Sequence, residues 1–380
     1  MKTEERIEGM KQLTTRDFSR REFLALSAMT TGGLVLAACG ASSGPPAATL
    51  AGKPIENALN IYNWSGYLNP DTLKQFQSAH PSMAVKQDTY ASNEDMLAKI
   101  EAGAKGYDIV VPTGYMVKIM IAKNLLYPLD HSLLTNYSHI DARFTQSGYD
   151  LGNKYSVPKD WGTTGFGFRK DKVKQGMTSW KDFFEMAPQF SGKISVLDGA
   201  NEVIGSTLKY LGHSYNSDND QELSAAKDAL LKFKPHVGHI QSVNYKEQLT
   251  SGDLAYSMGW NGDFAAILAL TPVPPVQYVI PGEGSEYWVD TWAILKTAPD
   301  PVAAHTFINF LLDPKIEGQE ANYTYYANPE TDATPFITNG ITKDPTVYPT
   351  PSVLANLESN KPTAKGQRMR DQIFAEFKAA

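Results

Sequence analysis

Tyr107-Asp108-Ile109-Val110-Val111-Pro112-Thr113-Gly114-Tyr115 holds a short apolar run closed by proline and glycine, the pattern of a strand buried within a parallel sheet. Reading backward, Ser92-Asn93-Glu94-Asp95 has the order of a capping box, with aspartate in place of the usual glutamate. It opens a helix carrying Met96, Leu97 and Ile100, which Gly103 stops. Met83 to Tyr90 alternates as a strand. Asn69-Pro70 caps and starts a helix with Leu73 and Phe76 on one face, and His80-Pro81 ends it. Ala58 to Trp64 is the first strand. Short strands alternating with helices in this way predict an α/β fold.

Reading forward, Tyr155 to Arg169 gives two extended segments around Trp161-Gly162, where a chain can cross between domains. Lys193 to Leu197 is a strand and Asn201 to Gly212 a helix. An amphipathic helix from Gln221 to Lys234 carries Leu223, Ala226, Leu230 and Phe233. Leu254 to Trp260 and Val276 to Ile280 are further strands, and Tyr287 to Leu295 alternates in part and is a candidate for the return crossing. A helix runs from Pro301 to Leu312. Tyr323 to Tyr326 is an aromatic patch without a clear period, and a last helix spans about Arg368 to Phe377.

Cys39 is the only cysteine, so it has no intrachain disulfide partner and no companion thiol for a zinc site. It ends Leu36-Ala37-Ala38-Cys39 behind a moderately apolar stretch, and Arg20-Arg21 lies upstream of that stretch. The order reads as a twin-arginine lipoprotein signal over residues 1–38, with Cys39 as the lipidated first residue of the mature chain. The apolar stretch is too short and too rich in Gly, Ser and Thr for a good membrane span. Residues 39–56, small and polar with proline, are expected to be a flexible tether. The mature protein is therefore expected outside the cytoplasmic membrane, held to it by acyl chains.

The whole chain carries 35 basic and 41 acidic residues. Residues 1–38 hold six of the first and five of the second, so the remainder is more acidic still. No basic stripe is present to displace counterions from nucleic acid. There is no Gly-x-Ser-x-Gly elbow, His-Glu-x-x-His, phosphate loop or dinucleotide glycine pattern. Among the scattered histidines only His236 and His239 lie close together, in what reads as an exposed loop. Neither catalysis, a metal nor a cofactor is expected.

Aromatic residues mark the ends of the strands or the irregular segments: Trp64, Tyr67, Tyr115, Trp161, Trp260, Trp288 and Tyr326, often beside glycine or asparagine. In open α/β sheets ligands meet the carboxyl ends of strands. Ring faces there can enclose an alkyl chain and attract ammonium groups, at about 0.5–2 kcal/mol per contact. Asp198, Glu202, Asp263 and Asp290 lie nearby in sequence. The same residues have plainer readings. Trp180, Phe183 and Phe184 fit a core; Trp161 and Trp292 fit a core or a pocket; Asp263 fits the opening of a helix.

Six runs carry a resemblance: Ile61 to Tyr67, Thr89 to Glu94, Tyr107 to Tyr115, Gly259 to Gly262, Trp288 to Asp290 and Phe307 to Leu312. From about Asn60 to the C-terminus the chain resembles the bacterial polyamine-binding proteins that serve ATP-driven spermidine and putrescine importers. The resemblance implies a two-lobe periplasmic-binding-protein fold of type II, with α/β lobes joined by hinge strands and the ligand in the cleft. Lobe 1 then comprises residues 57–164 and 289–334, and lobe 2 residues 165–288 and 335–380. It also implies a monomer that hands a polyamine to an ABC permease. The family's ligand contacts fall on Trp64, Ser65, Tyr67, Thr113, Tyr115, Glu202, Trp260, Trp288, Asp290 and Tyr326, with Asp290 as the main ammonium anchor and a further amide near Asn360.

Two departures stand out. Gly66 occupies a position that is acidic in spermidine-type sites, and Gly199 replaces one of two paired aspartates, with Asp198 at the other. A less acidic cleft favours putrescine or another small amine over spermidine, because several protonated amines need several compensating groups. Alternatives are an aminated carboxylate, for which Lys159 or Arg169 could serve as cleft cations, and a lipid-anchored sensory module built on the same fold.

Overall fold

Burial of alternate residues fixes the first sheet. In the computed structural model, which describes residues 49–380, β1 (Ala58–Trp64) turns Leu59 and Ile61 to one helical layer and Tyr62 to the other. The export signal and Cys39 lie outside the described residues, as does the tether up to residue 48. Leu50 is docked: its side chain is buried and its N–H donates to Asp130 Oδ2 at 2.8 Å. Glu56 accepts the N–H groups of Val302 and Ala303. Leu50 and Glu56, both placed in the tether expected over residues 39–56, are thus each hydrogen-bonded to the fold.

β1 pairs in parallel with β2 (Ala84–Tyr90) and β3 (Ile109–Val110). The helix between β1 and β2, Pro70–Ala79, is capped by Asn69, and the helix Asn93–Glu101 by Ser92, as the sequence indicates. β4 (Ser156–Arg169) is one fourteen-residue strand, with a register shift between Pro158 and Asp160. β5 (Ile194–Val196) lies between β6 (Val237–Ile240) and β7 (Tyr256–Trp260), parallel to both. β8 (Val276–Val279) pairs with β4. β9 (Glu286–Ile294) runs antiparallel to β3 and β4, and β10 (Glu358–Ser359) pairs with it. The strand order is β2-β1-β3-β9-β4-β7-β5-β6.

Two lobes grow from this curled sheet. Helices cover both faces of the first, giving one cluster around Phe76, Trp292 and Phe307 and another around Met96, Met116 and Met120. The second lobe packs Phe166, Trp180, Phe183, Leu230 and Tyr256 together. β4 pairs with β9 through its first half and with β7 and β8 through its second, so it belongs to both. Ile337, Ile341 and Val347 pack into the first lobe's cluster, whereas Ile373, Phe374 and Phe377 pack into the second. The final crossing therefore comes after Val347 rather than at residue 335.

Two helices escape a reading by periodicity. Gly114–Ala122 is apolar nearly all round, so it shows no polar face. Pro314–Thr324 buries Glu317 and Glu320 beside Lys159, which hides its apolar stripe; Asp313 caps it, and Tyr325 ends it at φ 61°. The last helix begins earlier than expected, at Ala364, because Thr363 accepts the Gly366 N–H.

Candidate functional site

Strand alternation on β9 builds the floor of a cavity of about 460 Å³ between the lobes. Glu286, Trp288 and Asp290 line it, whereas Tyr287 packs against Trp161 on the other side, with ring centroids 5.6 Å apart. Asp290 lies opposite Thr113, whose hydroxyl donates to its Oδ1 at 2.6 Å. Thr113 is itself held by the Asn93 side chain. Burial pushes the Asp290 carboxyl up to about 6, and the Thr113 hydrogen bond opposes that shift.

At the start of the strand, Glu286 Oε2 accepts the hydroxyls of Thr164 at 2.8 Å and Tyr215 at 3.1 Å. Burial raises its carboxyl to about 7 despite those bonds. Glu202, in the first turn of the helix Ala200–Tyr210, is raised well above the ordinary range, first by burial and then by the Glu286 charge. Gly199 makes room for it. A Cβ there would stand 2.2 Å from a Glu202 carboxylate oxygen. Arg370 lies behind Tyr215, with its guanidinium on the carbonyls of Tyr215 and Ser217, and only partly offsets the Glu286 charge.

Rings form the walls. The Trp64 indole N–H donates to the Val111 carbonyl at 2.8 Å, and its ring lies against Tyr90 at 4.7 Å. Tyr326 meets Tyr67 at 5.6 Å and Trp288 at 5.1 Å, both edge to face. Two glycines permit this packing. A Cβ at Gly162 would lie 2.5 Å from the Trp288 ring, and one at Gly262 would lie 2.4 Å from Tyr326.

Trp64, Ser65, Tyr67, Thr113, Glu202, Trp260, Trp288, Asp290 and Tyr326 are thus brought together around the cavity. Ser65 is exposed at its rim. Tyr115 is not part of the lining: it is buried at the start of its helix, and its hydroxyl donates to Glu94 Oε1 at 2.9 Å. Asp198 is turned away and paired with Lys378 at 3.0 Å. Trp161 and Trp292 are core residues, the first donating to the Asn328 carbonyl. Asn360 is buried just beyond β10, with no protein partner for its amide, and does not line the cavity.

Neither proposed cleft cation is available. Lys159 is buried against Asp160, with its ammonium 3.8 Å from the Tyr67 ring centroid, and Arg169 holds Asp171 and the carbonyls of Leu249 and Thr250. Lys246 does line the cavity but is paired with Asp263 at 2.9 Å. An aminated carboxylate would therefore find no free cation there. Sequence reasoning missed Glu286, Tyr90, Tyr245 and Lys246 as wall residues. Glu286 was within reach: it continues the two-residue period of Trp288 and Asp290 by one step.

No cluster of His, Cys, Asp or Glu suited to a metal occurs among the described residues, and no helix there is long and apolar enough to cross a membrane. The wall instead carries Glu202, Glu286 and Asp290 without an ion-pair partner among the described residues. Such carboxylates are costly unless a cation joins them.

Residues 71–349 match the model of the family described as bacterial extracellular solute-binding protein. The putrescine-binding periplasmic protein SpuD of Pseudomonas aeruginosa is 34% identical over 340 residues, which is 84% of this chain and 92% of that protein. The spermidine/putrescine-binding periplasmic protein of Escherichia coli K12 is 33% identical over 325 residues, 85% of this chain and 92% of its own length. A solved structure of a candidate spermidine/putrescine ABC transporter protein from Listeria monocytogenes superposes with a TM-score of 0.81 at 35% identity. It covers 85% of this chain and 99% of that one.

Proposed function

This chain belongs to the bacterial extracellular solute-binding proteins, and from that premise we propose that it captures a polyamine outside the cytoplasmic membrane and delivers it to an ABC importer. One observation carries the reading: a ring-lined cavity whose wall holds Glu202, Glu286 and Asp290, with no cation paired to them among the described residues. Ammonium groups neutralise the acids, and the indole and phenol faces cover the methylenes between them. No covalent step is asked of the site.

β4 and β9 pass between the lobes, and bending at these strands is the proposed closure that presents the loaded protein to its permease. Export by the paired-arginine signal and acyl anchoring at Cys39 are proposed from the sequence alone, with a monomer as the working unit. Titration calorimetry of the purified protein with spermidine and putrescine tests the central reading. Saturable binding of at least one is expected. Failure of both to bind at millimolar concentration would overturn it.

A further inference from the structure

Asn261 follows Trp260 of the cavity wall, is fully buried and does not itself line the cavity. Its amide bonds two parts of the chain that lie far apart in sequence. Oδ1 accepts the Thr163 N–H at 3.0 Å, and Nδ2 donates to the Thr346 carbonyl at 3.0 Å. Three segments cross between the lobes: β4, β9 and the chain after Val347. We infer that Asn261 is a positioning residue that fastens the first of these crossings to the last and so holds the lobes in their observed setting over the cavity. The inference rests on closure about the crossing strands and names a residue that governs it.

Strand pairing shows why an asparagine stands here. β4 pairs with β9 as far as Thr163, opposite Tyr287, and with β7 from Thr164, opposite Trp260. One more step of the second ladder would set Thr163 opposite Asn261, but there β7 ends and the helix Asn261–Leu268 begins. The side-chain oxygen supplies the acceptor that the ladder no longer offers, and the buried N–H at the changeover stays paired. The Tyr278 hydroxyl meets the Thr163 hydroxyl at 3.0 Å and donates to its carbonyl at 3.0 Å. Every polar group of Thr163 is thus held from the second lobe.

The donor side of the amide reaches the first lobe. Thr346 precedes Val347, which packs in that lobe's cluster, and the Thr346 N–H is held by Asp344 at 2.8 Å. An N–H on one side and a carbonyl on the other fix which way the amide points. There is little slack around it: a Cβ at Gly162 would lie 2.3 Å from Asn261 Oδ1. Any opening that draws the Thr346 segment from the helix must break the Nδ2 bond and leave a buried donor without its partner.

The test combines stopped-flow release of spermidine and of putrescine, followed by tryptophan fluorescence, with small-angle X-ray scattering of the empty protein. It compares the natural chain, Asn261→Ala and Tyr278→Phe. The tyrosine variant loosens Thr163 within one lobe and spares the Thr346 bond, so it reports what a purely structural role would do. Asn261→Ala is expected to release ligand about tenfold faster, with association changed by less than about twofold, and to scatter as a wider particle when empty. Tyr278→Phe should stay within about twofold of the natural release rate. Asn261→Ser, with one polar atom where two are needed, is expected to act like the alanine variant and replaces it should that one fold poorly. Unchanged release in the Asn261 variants, or equal acceleration in Tyr278→Phe, overturns the role of Asn261 and leaves polyamine capture standing. If the natural chain binds neither amine, polyamine capture falls, and the scattering of the empty proteins decides on Asn261: a wider variant supports its role, and an unchanged one overturns it.

Discussion

Trp64, at the end of β1, and Trp260, at the end of β7, meet across the cleft with ring centroids 6.3 Å apart and planes at 68°. Each lobe therefore supplies one indole to the same contact, and both rings line the cavity. Because the rings touch, their contributions to binding should be coupled. Alanine at either position is expected to weaken polyamine binding by about 1–3 kcal/mol. The double variant should fall short of the sum by at least about 0.5 kcal/mol. Titration calorimetry on the four proteins measures the difference; strict additivity would show that the rings act separately.

Asp290→Asn should separate affinity from stability. Loss of the charge facing the ligand is expected to cost about 2 kcal/mol or more in binding. The empty protein should unfold at the same temperature or higher, since burial already raises this carboxyl to about 6 and its charge is unfavourable at neutral pH. Calorimetric binding and thermal unfolding on one preparation check both halves. Unchanged affinity would remove Asp290 from the site.

Acid should weaken capture. Asp290 is raised to about 6 and Glu286 to about 7, against about 4 for carboxyls in an unfolded chain. Raised folded-state values favour the empty fold below about pH 4, and that contribution is lost as the pH rises through 6 and 7. The ligand's ammonium groups need the charged acids. Spermidine should therefore raise the unfolding temperature more at pH 8 than at pH 5.5. Scans at both values decide; a larger increment in acid contradicts the assignment.

Gly199→Ala is expected to reduce spermidine affinity about tenfold, because the new methyl group must displace the Glu202 carboxylate. The backbone at position 199 is extended, at φ −147°, so the unfolding temperature should move little. A normal affinity would show that Glu202 can relocate without loss.

Most of the strand and helix order is legible in the chain because caps and alternation act locally: Asn69, Ser92 and Pro301 each mark the helix they start. The curl of one sheet through β4 is not, since it depends on pairing between Phe166 and Met258 and between Trp161 and Val289, far apart in sequence. In the site, the rings flanked by glycine are readable because turns after strands expose them. The roles of charged residues are not. Lys159 resembles a surface residue until the fold buries it against Asp160 and Tyr67, and Glu286 gains its meaning from Tyr215 and Thr164, which only the folded chain brings near.

The Lys159 ammonium over Tyr67 has a consequence for selectivity. One face of that phenol already carries a cation belonging to the protein, so its quadrupole is partly answered before any guest arrives. A visiting ammonium on the opposite face would feel repulsion through the ring as well as attraction to it. Tyr67 is then better suited to hydrocarbon than to charge, and the positive ends of the cargo are directed away from it, toward the acids on β9 and Glu202.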